Sequence, residues 1–152
     1  MLLVTSLDRN ILDGPLIVSE MVSWLKYSNR NGLIFKVDFE KAFDSLNWAF
    51  LNEVMMQMNF GQKWGNWISG CLKTASVSVL INGSPTPEFA MGKGVRQGDP
   101  LAPLLFIIAA EALNVMMHEA CCKGVFHGIK LPNSGPAISH LQYADHVLFM
   151  GD

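Results

Sequence analysis

An uninterrupted apolar run, LAPLLFIIAA from Leu101 to Ala110, restricts this chain more than any other feature. It is about half of the ~20 residues that a membrane span needs, and it contains Pro103. The run therefore predicts a buried helix, opened by Pro100 and continuing through Leu104, Ile108, Glu111 and Val115 toward His118. A helix of that kind needs other layers to cover it, and the chain has them to offer. Hydrophobic residues make up 50% of its 152 residues, enough for a substantial core in one domain or a piece of one. Charged residues make up 16%, below the ~25% of ordinary soluble chains, which predicts apolar surface that belongs against something else. The net charge of −2 supplies no basic field that binds nucleic acid by itself, so any such contact must be local.

The covering elements follow from periodicity. Ile17, Met21, Trp24 and Leu25 recur at helical spacing behind Asp13-Gly14-Pro15, a capping side chain with a proline in the first turn, and predict a helix over 14–28. After the turn NRNG, the stretch LIFKVDF has the apolar and branched content of a central strand ending at Asp38. Trp48, Leu51, Met55 and Met58 predict a helix capped by Asp44 or Ser45 and stopped at Gly61. Trp64, Trp67, Ile68 and Cys71 predict another, with the three tryptophans in the core. ASVSVLING alternates and turns at Asn82-Gly83 into a hairpin partner, and ISHLQY and VLFM read as strands on either side of Ala144-Asp145-His146. This order predicts an α+β layer with helices packed on a mainly antiparallel sheet, and no linker or repeat divides it.

Three cysteines, Cys71, Cys121 and Cys122, form no paired framework, which predicts a reducing, intracellular setting, nucleus or cytoplasm left open. MLLVTSLDRN reaches Asp8 too soon for a signal peptide, so neither export nor a membrane is expected. His118, Cys121, Cys122 and His127 offer zinc-ligand chemistry, although the neighbouring cysteines lack a zinc-finger spacing.

Asp38 at a strand end and Asp145 in a turn are, taken singly, ordinary caps or turn formers. In the predicted layer the two ends could adjoin. Two carboxylates so placed are tolerated when a divalent cation lies between them, and hard oxygen donors suit Mg²⁺. Paired ions about 3.5 to 4 Å apart are a recurring device for in-line attack on phosphate.

Three stretches supply context: FKVDFEKAFDSLNW (35 to 48), GVRQGDPLAPLLFIIAAEALN (94 to 114) and SHLQYADHVLFMGD (139 to 152). In order and spacing they resemble the polymerase motifs of reverse transcriptases of the non-LTR (LINE-type) retrotransposons. RNILDGPLIVSE (9 to 20) and SVLINGSPTPEFAMGKG (78 to 94) look like the same family, so the resemblance covers nearly the whole chain. It implies a partial polymerase palm with part of the fingers, segment 1–31 serving as fingers or palm entry and 32–152 as palm. It implies RNA-directed DNA synthesis with two Mg²⁺ or Mn²⁺ ions, an RNA template, a DNA primer and deoxynucleoside triphosphates. Asp38 and Asp145 match the metal-holding aspartates, Phe43 the steric gate that closes the space around the sugar C2′, and Tyr143 an aromatic near the primer end. Gln97 and Gly98 match the loop at the nascent base pair, where glycine lets the backbone approach and glutamine donates and accepts hydrogen bonds. Arg96 and Lys93 are candidates for phosphate contact, or solvated loop cations.

The match fails at His146, where the family's turn carries a second acid. Imidazole brings nitrogen where Mg²⁺ prefers oxygen, and no negative charge. A loss of even ~4 kcal/mol in the transition state slows a step roughly a thousandfold, so the expectation is an impaired polymerase. The chain is further expected to be a truncated domain that stops short of a thumb and self-associates through exposed apolar surface. The alternative is a non-catalytic relic or a weak nucleic-acid-binding module.

Overall fold

The structure is a computed structural model and describes residues 13–96, 98–131 and 135–152. The opening segment, with its leader reading and the start of RNILDGPLIVSE, lies outside the described residues, as does Gln97. The chain forms two compact units, Met1–Glu40 with Leu113–Asp152, and Lys41–Ala112. Its helices and small antiparallel sheets make a mixed α and β structure.

In the first unit, α1 (Asp13–Tyr27) begins at the expected Asp-Gly-Pro signal and buries Met21 and Leu25. These meet Ile129, Ile138, Leu141 and Met150, with Ile17, Val18 and Trp24 packed around them. Full burial of one such side chain contributes about 1.5–3 kcal/mol, so the helical stripe predicted from spacing is what fastens α1. The main sheet has the order β1-β9-β8, from β1 (Leu33–Asp38), β9 (His146–Gly151) and β8 (His140–Tyr143). Both pairings are antiparallel. The central strand is β9, with Val147 and Met150 fully buried, and among the described residues β1 is an edge. That corrects the expectation of a central β1: Leu33 is 66% exposed and Phe35 58%. Apolar, branched composition tells that a strand packs well but not which of its edges is paired. A shorter ladder joins β6 (Ile129–Lys130) to β7 (Ala137–Ile138).

In the second unit, α2 (Ala42–Ser45), α3 (Trp48–Gln57) and α4 (Gln62–Lys73) precede two small hairpin ladders and the first part of α5 (Ala102–Cys122). Leu51, Val54, Met55, Ile68, Leu105 and Ile108 form its core. Two expectations are corrected. The cap of α3 is Asn47, not Asp44 or Ser45, which fall on α2; the Asn47 side-chain oxygen accepts from the amides of Ala49 (2.8 Å) and Phe50 (3.1 Å). Trp67 is 56% exposed, its ring under the Lys63 ammonium at 5.1 Å, because it falls off the Gly65 and Ile68 face of α4.

The hairpin over 76–90 is broken in two. β2 (Ser76–Val77) pairs with β5 (Phe89–Ala90), and β3 (Leu80–Ile81) pairs with β4 (Ser84–Pro85) around the predicted Asn82-Gly83 turn, both residues at positive φ. Pro85 and Pro87 lack amide donors, so a continuous ladder is not available to that arm. Helix α5 is long and apolar enough to cross a membrane by length and composition alone. Only one face of it is buried, which corrects the expectation of a buried helix: Ala102, Leu105, Ile108 and Ala109 are in the core of the second unit, while Leu104, Ile107, Val115 and Met116 are exposed, because an apolar run does not say which of its faces is covered. Further along, in the first unit, buried Asn114 offers its side-chain oxygen to His140 Nε2 at 2.9 Å.

Candidate active site

Strand register builds the site. β8 and β9 meet through the two-residue connection Ala144-Asp145, with Tyr143 paired to His146. Ala144 sits at φ 49, a left-handed conformation that costs a residue with a Cβ about 1–2 kcal/mol. The β1–β9 ladder ends with Asp38 opposite His146, and the Phe39 amide donates to the Asp145 carbonyl at 3.0 Å, carrying the pairing one step past the strand. Two carboxylates far apart in sequence thus flank one imidazole. Asp38, Asp145 and His146 each present a ligand atom within 4.8 Å of the others, and among the described residues they are the one such group.

The imidazole lies between the acids: Nδ1 is 3.3 Å from Asp38 Oδ1 and Nε2 is 3.8 Å from Asp145 Oδ1. Close as it is, Nδ1 makes no hydrogen bond, and the atom itself is buried. The three side chains are otherwise 39–60% exposed, so solvent screens the electrostatics among them. An oxygen, oxygen and nitrogen donor set does not fit a pair of Mg²⁺ ions, which call for oxygen ligands and for negative charge to offset four positive charges.

Phe43, Arg96 and Gly98 belong to the second unit. The Phe43 ring stacks on Phe106 with centroids 4.7 Å apart, and its carbonyl accepts from the Val95 amide at 2.9 Å. Arg96 and Lys93 are exposed, and Gly98 holds φ 86, a conformation glycine adopts without strain. The Asp99 carboxylate accepts from the Leu101 amide at 2.9 Å just ahead of α5, so the GDP stretch is also a helix-start device. Tyr143 is half-exposed beside the turn.

Sequence reasoning missed a cavity of about 520 Å³ in the first unit, lined by Arg30, His118, Cys121, His127, Lys130 and His140 among others. Its buried wall is the Asn114–His140 pair, with the Ser139 hydroxyl 3.0 Å from His140 Nδ1. One signal for it was available, an asparagine set between the apolar residues Leu113 and Val115 of α5. The zinc reading is not supported by geometry: Cys122 Sγ lies 3.8 Å from His118 Nδ1, but among the described residues the four proposed ligands do not converge as a group.

Residues 7–152 match the reverse transcriptase (RNA-dependent DNA polymerase) family. The chain belongs to the reverse transcriptase family. It is 42% identical over 66 residues to an uncharacterised mitochondrial protein of Arabidopsis thaliana, covering 43% of this chain and 54% of that protein. It is 27% identical over 142 residues to an uncharacterised 149 kDa protein of transposon TX1 from Xenopus laevis, covering 93% of this chain and 10% of that protein. It is 26% identical over 147 residues to a Pol polyprotein of the type-1 retrotransposable element R2 from Popillia japonica, covering 93% and 20%. The chain therefore spans about half of the first relative and a fifth or less of the other two. R2 and TX1 relatives place this reverse transcriptase domain among those of the non-LTR elements, as its three motifs indicate. The family uses divalent metal ions and binds an RNA template with a primer.

Proposed function

We propose that this chain carries the nucleotidyl-transfer centre of a template-directed RNA-dependent DNA polymerase, weakened at His146. The observation that carries the reading is the register of β1 against β9, which sets Asp38 beside Asp145 in a chain of this family. Residues 32–152 are read as palm and 1–31 as fingers or palm entry. In the ancestral reaction a primer 3′-hydroxyl attacks a deoxynucleoside triphosphate and releases pyrophosphate, with two Mg²⁺ or Mn²⁺ ions supplying charge neutralisation.

The chain's own residues divide the remaining work. Asp38 and Asp145 anchor the charge at the site, and Phe43 excludes a 2′-hydroxyl by bulk, a rejection that needs no bond. By their match to the family's motifs, Gln97 and Gly98 are assigned to the nascent base pair, Arg96 to a phosphate, and Tyr143 to the primer end. A polymerase of this kind works inside the cell, in nucleus or cytoplasm. The exposed apolar edge of β1 supports self-association, since an unpaired strand edge is a template for another.

The test is templated primer extension with Mg²⁺ or Mn²⁺. His146→Asp is expected to tighten Mn²⁺ and Mg²⁺ binding while extension by the chain alone stays poor; in a version extended to grip the primer, the same change is expected to speed extension roughly a thousandfold, the equivalent of ~4 kcal/mol. Robust synthesis by the unaltered chain removes the impairment. Extension by His146→Asp that persists when Asp38→Asn is added removes the site assignment. Nucleic-acid binding that survives Asp38→Asn, with no extension from any variant, favours the second reading, a non-catalytic binding module or relic, for which His146 itself is the supporting observation.

A further inference from the structure

We infer that the cavity of about 520 Å³ in the first unit binds a small anion of the nucleoside monophosphate class, its phosphate at a cationic mouth and its planar ring against an apolar wall. None of Asp38, Asp145 and His146 lines this cavity, so the assignment stands apart from the polymerase reading. Size is the first observation. Sites for small organic ligands run from ~300 to 1,000 Å³, mostly apolar with a few polar groups that fix orientation, and the cavity falls within that range.

Charge is the second. In a chain of net charge −2, two permanent cations, Arg30 and Lys130, line the cavity against a single acid, Asp152. The Arg30 guanidinium is held over the Trp24 ring at 5.3 Å, and such a planar fork suits pairs of phosphate oxygens. An Asp152 carboxylate oxygen lies 3.6 Å from that guanidinium, where an incoming anion would compete with it.

The third observation is the wall and floor. Phe126, Cys121 and Ala137 give the wall carbon and sulfur surface, with one aromatic face for a ring to stack on. The backbone closes the wall at Gly128, where a Cβ would stand 2.8 Å from the Ile138 carbonyl carbon, so its shape exists before a ligand enters. The floor is polar and buried: Asn114 Oδ1 is 2.9 Å from His140 Nε2, and Ser139 Oγ is 3.0 Å from His140 Nδ1. A hydroxyl has one donor and two acceptor positions, so the contact with His140 does not exhaust Ser139.

The test is calorimetric titration of the full chain in metal-depleted buffer, with adenosine 5′-monophosphate, inorganic phosphate and adenosine as probes. The monophosphate should bind about tenfold more tightly than either of the others, because only it uses both mouth and wall. It should also shift the imidazole resonances of His127 and His140, a readout that needs no variant. Arg30→Gln and Lys130→Gln should each weaken it about fivefold or more. Asp152→Asn should tighten it about two- to fivefold by releasing Arg30 from an exposed ion pair. Ala137→Phe, at an exposed strand position that lines the cavity, should block it. No binding by any probe, equal affinity for phosphate and the monophosphate, unshifted His127 and His140 resonances, or binding indifferent to Ala137→Phe would each overturn the inference. Binding that appears only with Mg²⁺ and disappears in Asp38→Asn would place the nucleotide at the turn, overturning the cavity and leaving the polymerase reading in place.

Discussion

Three glycines in and beside one loop separate backbone strain from steric overlap. Gly94 adopts φ 80, and a methyl group there would press on the Asp44 carbonyl oxygen and stand 2.8 Å from its carbon and 2.9 Å from its Cα. Gly98 shares the positive φ, at 86, but faces open space, and Gly92 has neither constraint. An alanine in the left-handed region costs about 1–2 kcal/mol. Forcing extra volume against packed atoms adds typically 1–3 kcal/mol. The overlap at Gly94 is with backbone, which cannot swing aside, and the residue is held on both sides. Its amide donates to the Leu46 carbonyl and its carbonyl accepts from Trp48 Nε1, each at 2.7 Å. Gly94→Ala should therefore lose about 2–5 kcal/mol, Gly98→Ala about 1–2, and Gly92→Ala close to nothing. At roughly 2–4 °C per kcal/mol for a chain of this size, thermal unfolding followed by circular dichroism should show Gly94→Ala about 10 °C below the parent. A Gly94→Ala variant no less stable than Gly98→Ala would refute the overlap argument.

Other outcomes are expected elsewhere in the chain. Ala144→Gly should relieve the positive φ at the turn and gain up to about 1 kcal/mol in urea unfolding, part of the relief being offset by the freer unfolded chain. Asn47→Ala should lose about 1 kcal/mol through the two α3 amides it leaves unsatisfied, read by the same unfolding curve. Phe43→Ala should destabilise the second unit by losing its stack on Phe106. In a polymerising variant it should also admit ribonucleotides, and unchanged sugar selectivity would take the gate role from Phe43. Lys123, hydrogen-bonded and opposite in charge, holds the Glu119 carboxyl below the usual glutamate range. A lowered folded value means the pair's support for the end of α5 is complete above the unfolded glutamate value and fades as pH falls through the folded one. Lys123→Ala should move the Glu119 midpoint upward in a carboxyl NMR titration.

The lineage and the elements were written in the chain because both rest on local signals. Asp13-Gly14-Pro15 marks where α1 starts, Asn82-Gly83 demands a primed turn, and the 101–110 run can only be a helix that packs. The same locality explains the errors. Asp44 and Ser45 carry capping groups as good as that of Asn47, and only the short α2 helix uses up those positions. The hydrophobicity of Trp67 does not say which face of α4 turns inward.

Sequence by itself also determined which atoms are available at the turn: two carboxylates and an imidazole where the motif elsewhere has a further acid. Tertiary structure alone decided that they meet. The meeting depends on β9 lying between β8 and β1 in the register that sets Asp38 opposite His146, and a shift of one residue would turn every side chain of β1 to the other face. Register is fixed by burial of Val147 and Met150 along the whole of β9, a cooperative property of the sheet that no local stretch of residues encodes.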